Sequence, residues 1–127
     1  MWVHLDTHVV VYLANHQIDR LPAHAAQRIE TCRPMIAPMV LLELSYLHEI
    51  GRLRWTAVQA RDYLRERIDL GVAESSFERT ALIAAGIDWT RDPFDRLIAA
   101  HAMADGVPLL TANSTLLTHC PVAEWDA

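Results

Sequence analysis

The alternation of short apolar stretches with helical segments constrains this chain most. MWVHLD (1–6), PMIAP (34–38) and VPLLTA (107–112) are too short for ordinary helices and read as strands, the first running to Asp6 and the second closed by Pro38. VAES (72–75) and VAEW (122–125) are further strand candidates. Between them lie segments with helical spacing. THVVVYLANH (7–16) reads as a helix, although its valines also suit a strand. PAHAAQRIET (22–31) puts Pro22 in a favoured first-turn position, MVLLELSYLHEIG (39–51) ends at Gly51, and TAVQARDYLRERIDLG (56–71) ends at Gly71. FERTALIAAG (77–86) is helical, Asp92 and Pro93 form the N-cap and first position of the next helix, and NSTLLTHC is a short one. Short apolar strands alternating with helices imply an α/β fold, a parallel sheet covered on both faces.

A length of 127 residues suits one core and is short for two, so residues 1–127 are read as a single domain. Apolar residues at 52% and charged residues at 21% fit a soluble globular protein. No apolar run approaches a membrane span and no basic segment precedes an apolar one at the N-terminus, which predicts a cytoplasmic location. Cys32 and Cys120 form no CxxC pair and read as reduced structural residues. All 11 basic residues are arginine. The absence of lysine excludes a Walker A motif, a Schiff-base lysine and the usual receiver-domain phosphorylation site. A formal charge of −5 makes for poor non-specific nucleic-acid binding unless metal ions or local patches reverse the field.

In parallel α/β sheets, ligands bind beyond the carboxyl ends of strands. Asp6 follows the first strand, Asn113 follows LLTA, and Asp92 and Asp95 open the helix of RDPFDRLIAAHAMADG (91–106). Glu43 joins them by another route. Its helical neighbours are Met39, Val40, Tyr46 and Leu47, which places it on an apolar face, while His48 and Glu49 face water. Asp95 has Ile98, Ala99 and Ala102 on its side of the helix. A carboxylate on a buried stripe is costly unless it is paired or bound to a metal, and two of them on separate helices point to a shared pocket. Each residue also has a plainer role. Asp6, Asp92 and Asn113 suit helix caps, Asp95 suits the first turn of a helix, and Glu43 could pair with Arg96.

The LDTHVVVYL segment, Glu43 within PMVLLELSYLHEIGRL, and RDPFDRLIAAHAMADGVPLLTAN together resemble PIN-domain ribonucleases, and more narrowly the VapC-type toxins of bacterial toxin–antitoxin pairs. The resemblance covers nearly the whole chain. It implies a three-layer sandwich with a central short parallel β-sheet flanked by helices, and a metal-dependent site of three or four acids. Carried over, the catalytic residues are Asp6, Glu43 and Asp95, with Asp6 and Asp95 as metal ligands. Asn113 stands where the family often has aspartate, which weakens a second metal site. Asp92 belongs to the DPFDR form of the motif and is a possible additional site residue. The family also implies a homodimer and a cognate antitoxin protein whose C-terminal segment fills a groove beside the site.

Two unit charges ~4 Å apart repel by ~4 kcal/mol at an effective dielectric near 20. A cluster of Asp6, Glu43 and Asp95 therefore calls for a hard divalent cation, and all-oxygen ligands suit Mg²⁺ or Mn²⁺. The expected reaction is endonucleolytic hydrolysis of RNA, with Glu43 binding through water or orienting the nucleophile. His4 and His8 flank Asp6 as HxDxH, an alternative zinc pattern that no cysteine or further histidine pair supports. Arg52, Arg54, Arg61, Arg65 and Arg67, with Trp55 among them, read either as a substrate-binding rim or as a solvated face interleaved with Asp62, Glu66 and Asp69. Val9, Val10, Tyr12 and Leu13 are core or line a partner groove. The rival function is a non-catalytic module of the same fold binding RNA or an antitoxin, with Asn113 as its best support. An aspartyl-nucleophile phosphatase is more distant, since its DxD pattern and lysine are missing.

Overall fold

The structure, a computed structural model, describes residues 1–127. Strand β1 (Trp2–Leu5) leads into α1 (Thr7–Ala14), a 3-10 turn at Ile18–Arg20 and α2 (Ala23–Thr31). Strand β2 (Arg33–Ile36) is followed by α3 (Pro38–Glu49) and α4 (Ala57–Ile68), and β3 (Gly71–Val72) by α5 (Phe77–Ala85) and α6 (Pro93–Asp105). Strand β4 (Leu109–Leu110), α7 (Ser114–His119) and β5 (Ala123–Glu124) complete the chain. All strands pair in parallel, in the order β3-β2-β1-β4-β5. Val3, His4 and Leu5 are all fully buried although successive strand residues face opposite ways, so helices cover both faces of β1. This is the predicted sandwich of helices, parallel sheet and helices.

Local chemistry sets most element ends. The valines of α1 are helical because Asp6 caps the segment and Val9 and Val10 bury completely in the core, where packing outweighs their strand preference. Thr56 and Gln59 form a reciprocal capping box that starts α4. Asp92, Pro93 and, at the other end, Gly106 with φ of +66° bound α6. Three boundaries differ from the sequence reading. Asp69, at φ of +56°, closes α4, which leaves Gly71 free to begin β3. Pro38 opens α3 instead of closing β2, and Pro22 caps α2 from just outside it. The last three strands are two residues each, shorter than their apolar stretches.

The far end of α6 is tied into the sheet. Asp105 accepts a hydrogen bond from the Ser75 hydroxyl and lies 2.7 Å from Nε2 of the fully buried His4. Burial pushes the His4 imidazole below its ordinary pKa, more than Asp105 lifts it. The contact is therefore a hydrogen bond donated by a neutral ring through Nε2, not an ion pair.

Candidate functional site

Strand order reverses between β1 and β4, and such a reversal opens a crevice beyond the strands' carboxyl ends. A cleft of about 260 Å³ lies there, lined by Asp6, Glu43, Asp95 and Asn113. Thr7, His8 and Arg52 share its walls. A larger hollow of about 560 Å³ sits at the opposite ends of the strands, around Trp2, Arg33, Gly71 and Asp105, and contains none of the predicted site residues. The convergence of carboxylates makes the smaller cleft the candidate site.

Asp6 is only 4% exposed. Its Oδ1 accepts from the backbone N–H of Thr7 at 2.7 Å and its Oδ2 from the Thr111 hydroxyl at 2.7 Å. Thr111 Oγ1 in turn accepts from the Asn113 backbone N–H at 3.0 Å, which links the end of β4 to the end of β1. Glu43 accepts from the Thr7 hydroxyl. The pairing of Glu43 with Arg96 does not form, because the Arg96 guanidinium turns to the carbonyl of Thr90 at 2.7 Å. Asn113 caps α7 through Oδ1, accepting from Thr115 and Leu116 N–H at 2.9 and 3.2 Å, and its side chain lines the same cleft as Asp95. Asp92 is exposed and caps α6, accepting from the N–H groups of Phe94 and Asp95 at 2.8 and 3.4 Å.

The plainer capping roles therefore hold for Asp6, Asp92 and Asn113, and Asp95 lies in the first turn of α6 as expected; of the five, only Glu43 and Asp95 cap nothing. Those two carry the electrostatic cost. Burial pushes the Glu43 carboxyl up, the Thr7 hydrogen bond opposes this, and the charges of Asp6 and Asp92 add to it, leaving it above the ordinary range. Asp95 is pushed up to about 7 by burial and then by the charges of Asp92, Asp6 and Glu43, with the Asn113 side chain opposing. Asp92 thus acts on the site through its charge while lying outside the cleft lining.

These acids share one cleft without closing into a cage: no three His, Cys, Asp or Glu side chains come together as a ready-made metal site. The donor set is nevertheless all oxygen, and its carboxylates repel one another. That suits a hard ion that retains waters and needs few protein ligands. The HxDxH pattern does not converge. His4 spends its Nε2 on Asp105, and His8 uses its Nε2 to accept the Ala112 N–H at 2.8 Å.

Of the arginines, only Arg52 reaches the cleft. Arg54 lies in a neighbouring depression with Trp55, Gln59 and Asp62; Arg61 pairs with Asp62 at 2.9 Å; Arg65 is exposed; Arg67 stacks on Tyr63 at 4.9 Å. Val9 and Val10 are core, and Tyr12 and Leu13 are partly buried against it, while Val11 and Leu47 give the cleft its apolar wall. The sequence reading missed Thr7 and Thr111. The position of Thr7, directly after a strand-end aspartate and opening a helix, was the available signal; Thr111 had none beyond its place after β4.

The fold is similar to solved structures of toxin–antitoxin complexes. VapBC2 from Rickettsia felis, bound to a DNA fragment from its promoter, matches with a TM-score of 0.67 and 20% identity over 98% of each chain. VapBC-1 from nontypeable Haemophilus influenzae matches with 0.67 and 20% over 98% of this chain and 96% of that one, and DNA-bound VapBC from Salmonella typhimurium with 0.64 and 20% over 98% and 97%. No curated protein matches the sequence significantly. The family profile described as PIN domain matches residues 3–118, and the chain belongs to the PIN-domain family.

Proposed function

We propose that this protein is a divalent-metal-dependent endoribonuclease, the toxin of a toxin–antitoxin pair. The observation that carries the reading is the convergence of Asp6, Glu43 and Asp95 at the β1–β4 reversal, with Asp95 pushed up to about 7. An acidic cluster held at such a cost serves chemistry better than stability. Asp6 and Asp95 would hold Mg²⁺ or Mn²⁺. When bound, the ion supplies Lewis-acid polarisation of a phosphate oxygen and a water of lowered pKa. Asp95 releases its proton as the site fills. Glu43, oriented by the Thr7 hydroxyl, accepts a proton from the attacking water at a carboxylate oxygen. Arg52 at the rim binds a backbone phosphate, and Arg54, Arg61 and Arg65, just before or on α4, are the further substrate contacts of this reading.

The likeness to VapBC complexes supports an antitoxin protein as partner. A homodimer and a cytoplasmic setting belong to the same reading. No helix is long and apolar enough to cross a membrane. The deciding experiment measures initial rates on a fluorescent RNA with Mg²⁺, with Mn²⁺ and with EDTA, for wild type and Asp6→Asn. Cleavage that needs the ion and disappears in the variant is expected. RNA bound but uncut by wild type with either ion would leave the non-catalytic module, which the amide at Asn113 favours, as the better account.

A further inference from the structure

His8 sits on the first turn of α1 and reaches across to the loop after β4. Its Nε2 lies 2.8 Å from the backbone N of Ala112. A backbone N–H only donates, so Nε2 is the bare acceptor and the ring proton belongs on Nδ1. Nδ1 lies 3.6 Å from Asp6 Oδ2, the oxygen that accepts from Thr111. Tyr12 and Trp125 both meet the ring edge to face, with centroids 5.7 and 5.8 Å away. Trp125 is itself anchored. Its neighbour Glu124 is bonded to His24 at 2.7 Å and to Arg28 at 3.0 and 3.1 Å on α2.

We infer that His8 is a positioning residue: fixed as the Nδ1–H tautomer and packed against Tyr12 and Trp125, it holds the Ala112–Asn113 loop against Asp6 so that Asn113 meets Asp95. Without it, the ties to Asp6 end at the Leu110 carbonyl and the Thr111 hydroxyl, one residue short of Ala112. The inference rests on reading this cleft as the nuclease site.

The test uses the full chain. Imidazole nitrogen NMR of labelled wild-type protein is expected to show a protonated Nδ1 and a bare Nε2 at His8. His8→Phe keeps the ring packing but loses the acceptor, and should speed Ala112 amide exchange roughly tenfold. His8→Gln, whose amide oxygen reaches about as far as Nε2, should restore protection. On RNA, His8→Phe is expected to lower turnover about ten- to a hundredfold with KM within about twofold, and His8→Gln to recover most of the loss. The opposite tautomer, unchanged Ala112 exchange in His8→Phe, or full turnover in that variant overturns the inference. A wild type that cleaves nothing, yet shows the expected tautomer and exchange, overturns the nuclease reading and leaves His8 as the residue that positions the loop.

Discussion

Helix α6 carries a carboxylate in its first turn, Asp95, and another in its last, Asp105, and the two behave in opposite ways. The helix dipole favours an ionised acid at the first turn and opposes one at the last. The shifts run against the dipole. Asp95 rises to about 7 through burial and the surrounding acids. Asp105 is also pushed up by burial, but hydrogen bonds from Ser75 and His4 overcome that and hold it below the ordinary range. Direct donors within hydrogen-bond reach outweigh the field of the helix. One end of α6 is satisfied and fastens the fold; the other is left short of donors and faces a cleft.

The largest test of this contrast is activity. Asp95→Asn is expected to lower metal-dependent RNA cleavage about a hundredfold or more, and Asp105→Asn to leave the rate per folded molecule nearly unchanged, measured as initial rates. Equal losses would erase the distinction between the two ends. Next comes stability. Asp105→Ala removes two hydrogen bonds and leaves buried His4 without its acceptor, so urea unfolding should show a loss of about 2–3 kcal/mol.

The pH dependence has opposite signs at the two ends. Asp95 has a folded pKa of about 7 against an ordinary 3.8, so its contribution to stability is fully present below about 4 and is lost as pH rises through about 7. Asp95→Asn should accordingly melt with wild type in acid and roughly 3 °C above it beyond pH 7, without added metal. Asp105 lies below its ordinary value, so its contribution is present above that value and fades as pH falls. The stability lost in Asp105→Ala should shrink in acid. A flat difference across pH in either variant would show that its charge state is not what matters. The smallest effect belongs to Asp92→Ser, which keeps a capping oxygen and should change stability by less than about 0.5 kcal/mol. By removing one of the charges that lift Asp95, it should move the Asp95 titration, followed by carboxyl NMR, to lower pH.

The positions of Asp6, Glu43, Asp95 and Asn113 were legible because each depends on a local rule: a strand end, or an acid on an apolar helix face. The five strands and their parallel pairing were legible from the alternation of apolar stretches with helices. What escaped depends on pairings across the sheet. Thr111 meets Asp6 from 105 residues away, and His4 meets Asp105 from 101, distances over which periodicity carries no information. The turn at Asp69 was hidden by a nearby glycine that looked like the better helix terminator. The role of His8 was obscured by a plausible metal pattern, since two histidines flanking an aspartate look alike in sequence whether their rings converge or diverge.

The pairing of β1 with β4 has a consequence for how such a protein is made. During synthesis Asp6 and Glu43 emerge early, but the residues that complete their surroundings, Asp95, Thr111 and Asn113, come from the last third of the chain. The first strand waits for a neighbour more than a hundred residues downstream (His4 pairs with Leu109), a non-local closure of the kind that slows folding. A nascent chain long enough to display its first acids still lacks the rest of the cleft. If the cleft is the proposed nuclease site, the capacity to cut arrives late in translation, when the cell already holds nearly the whole polypeptide.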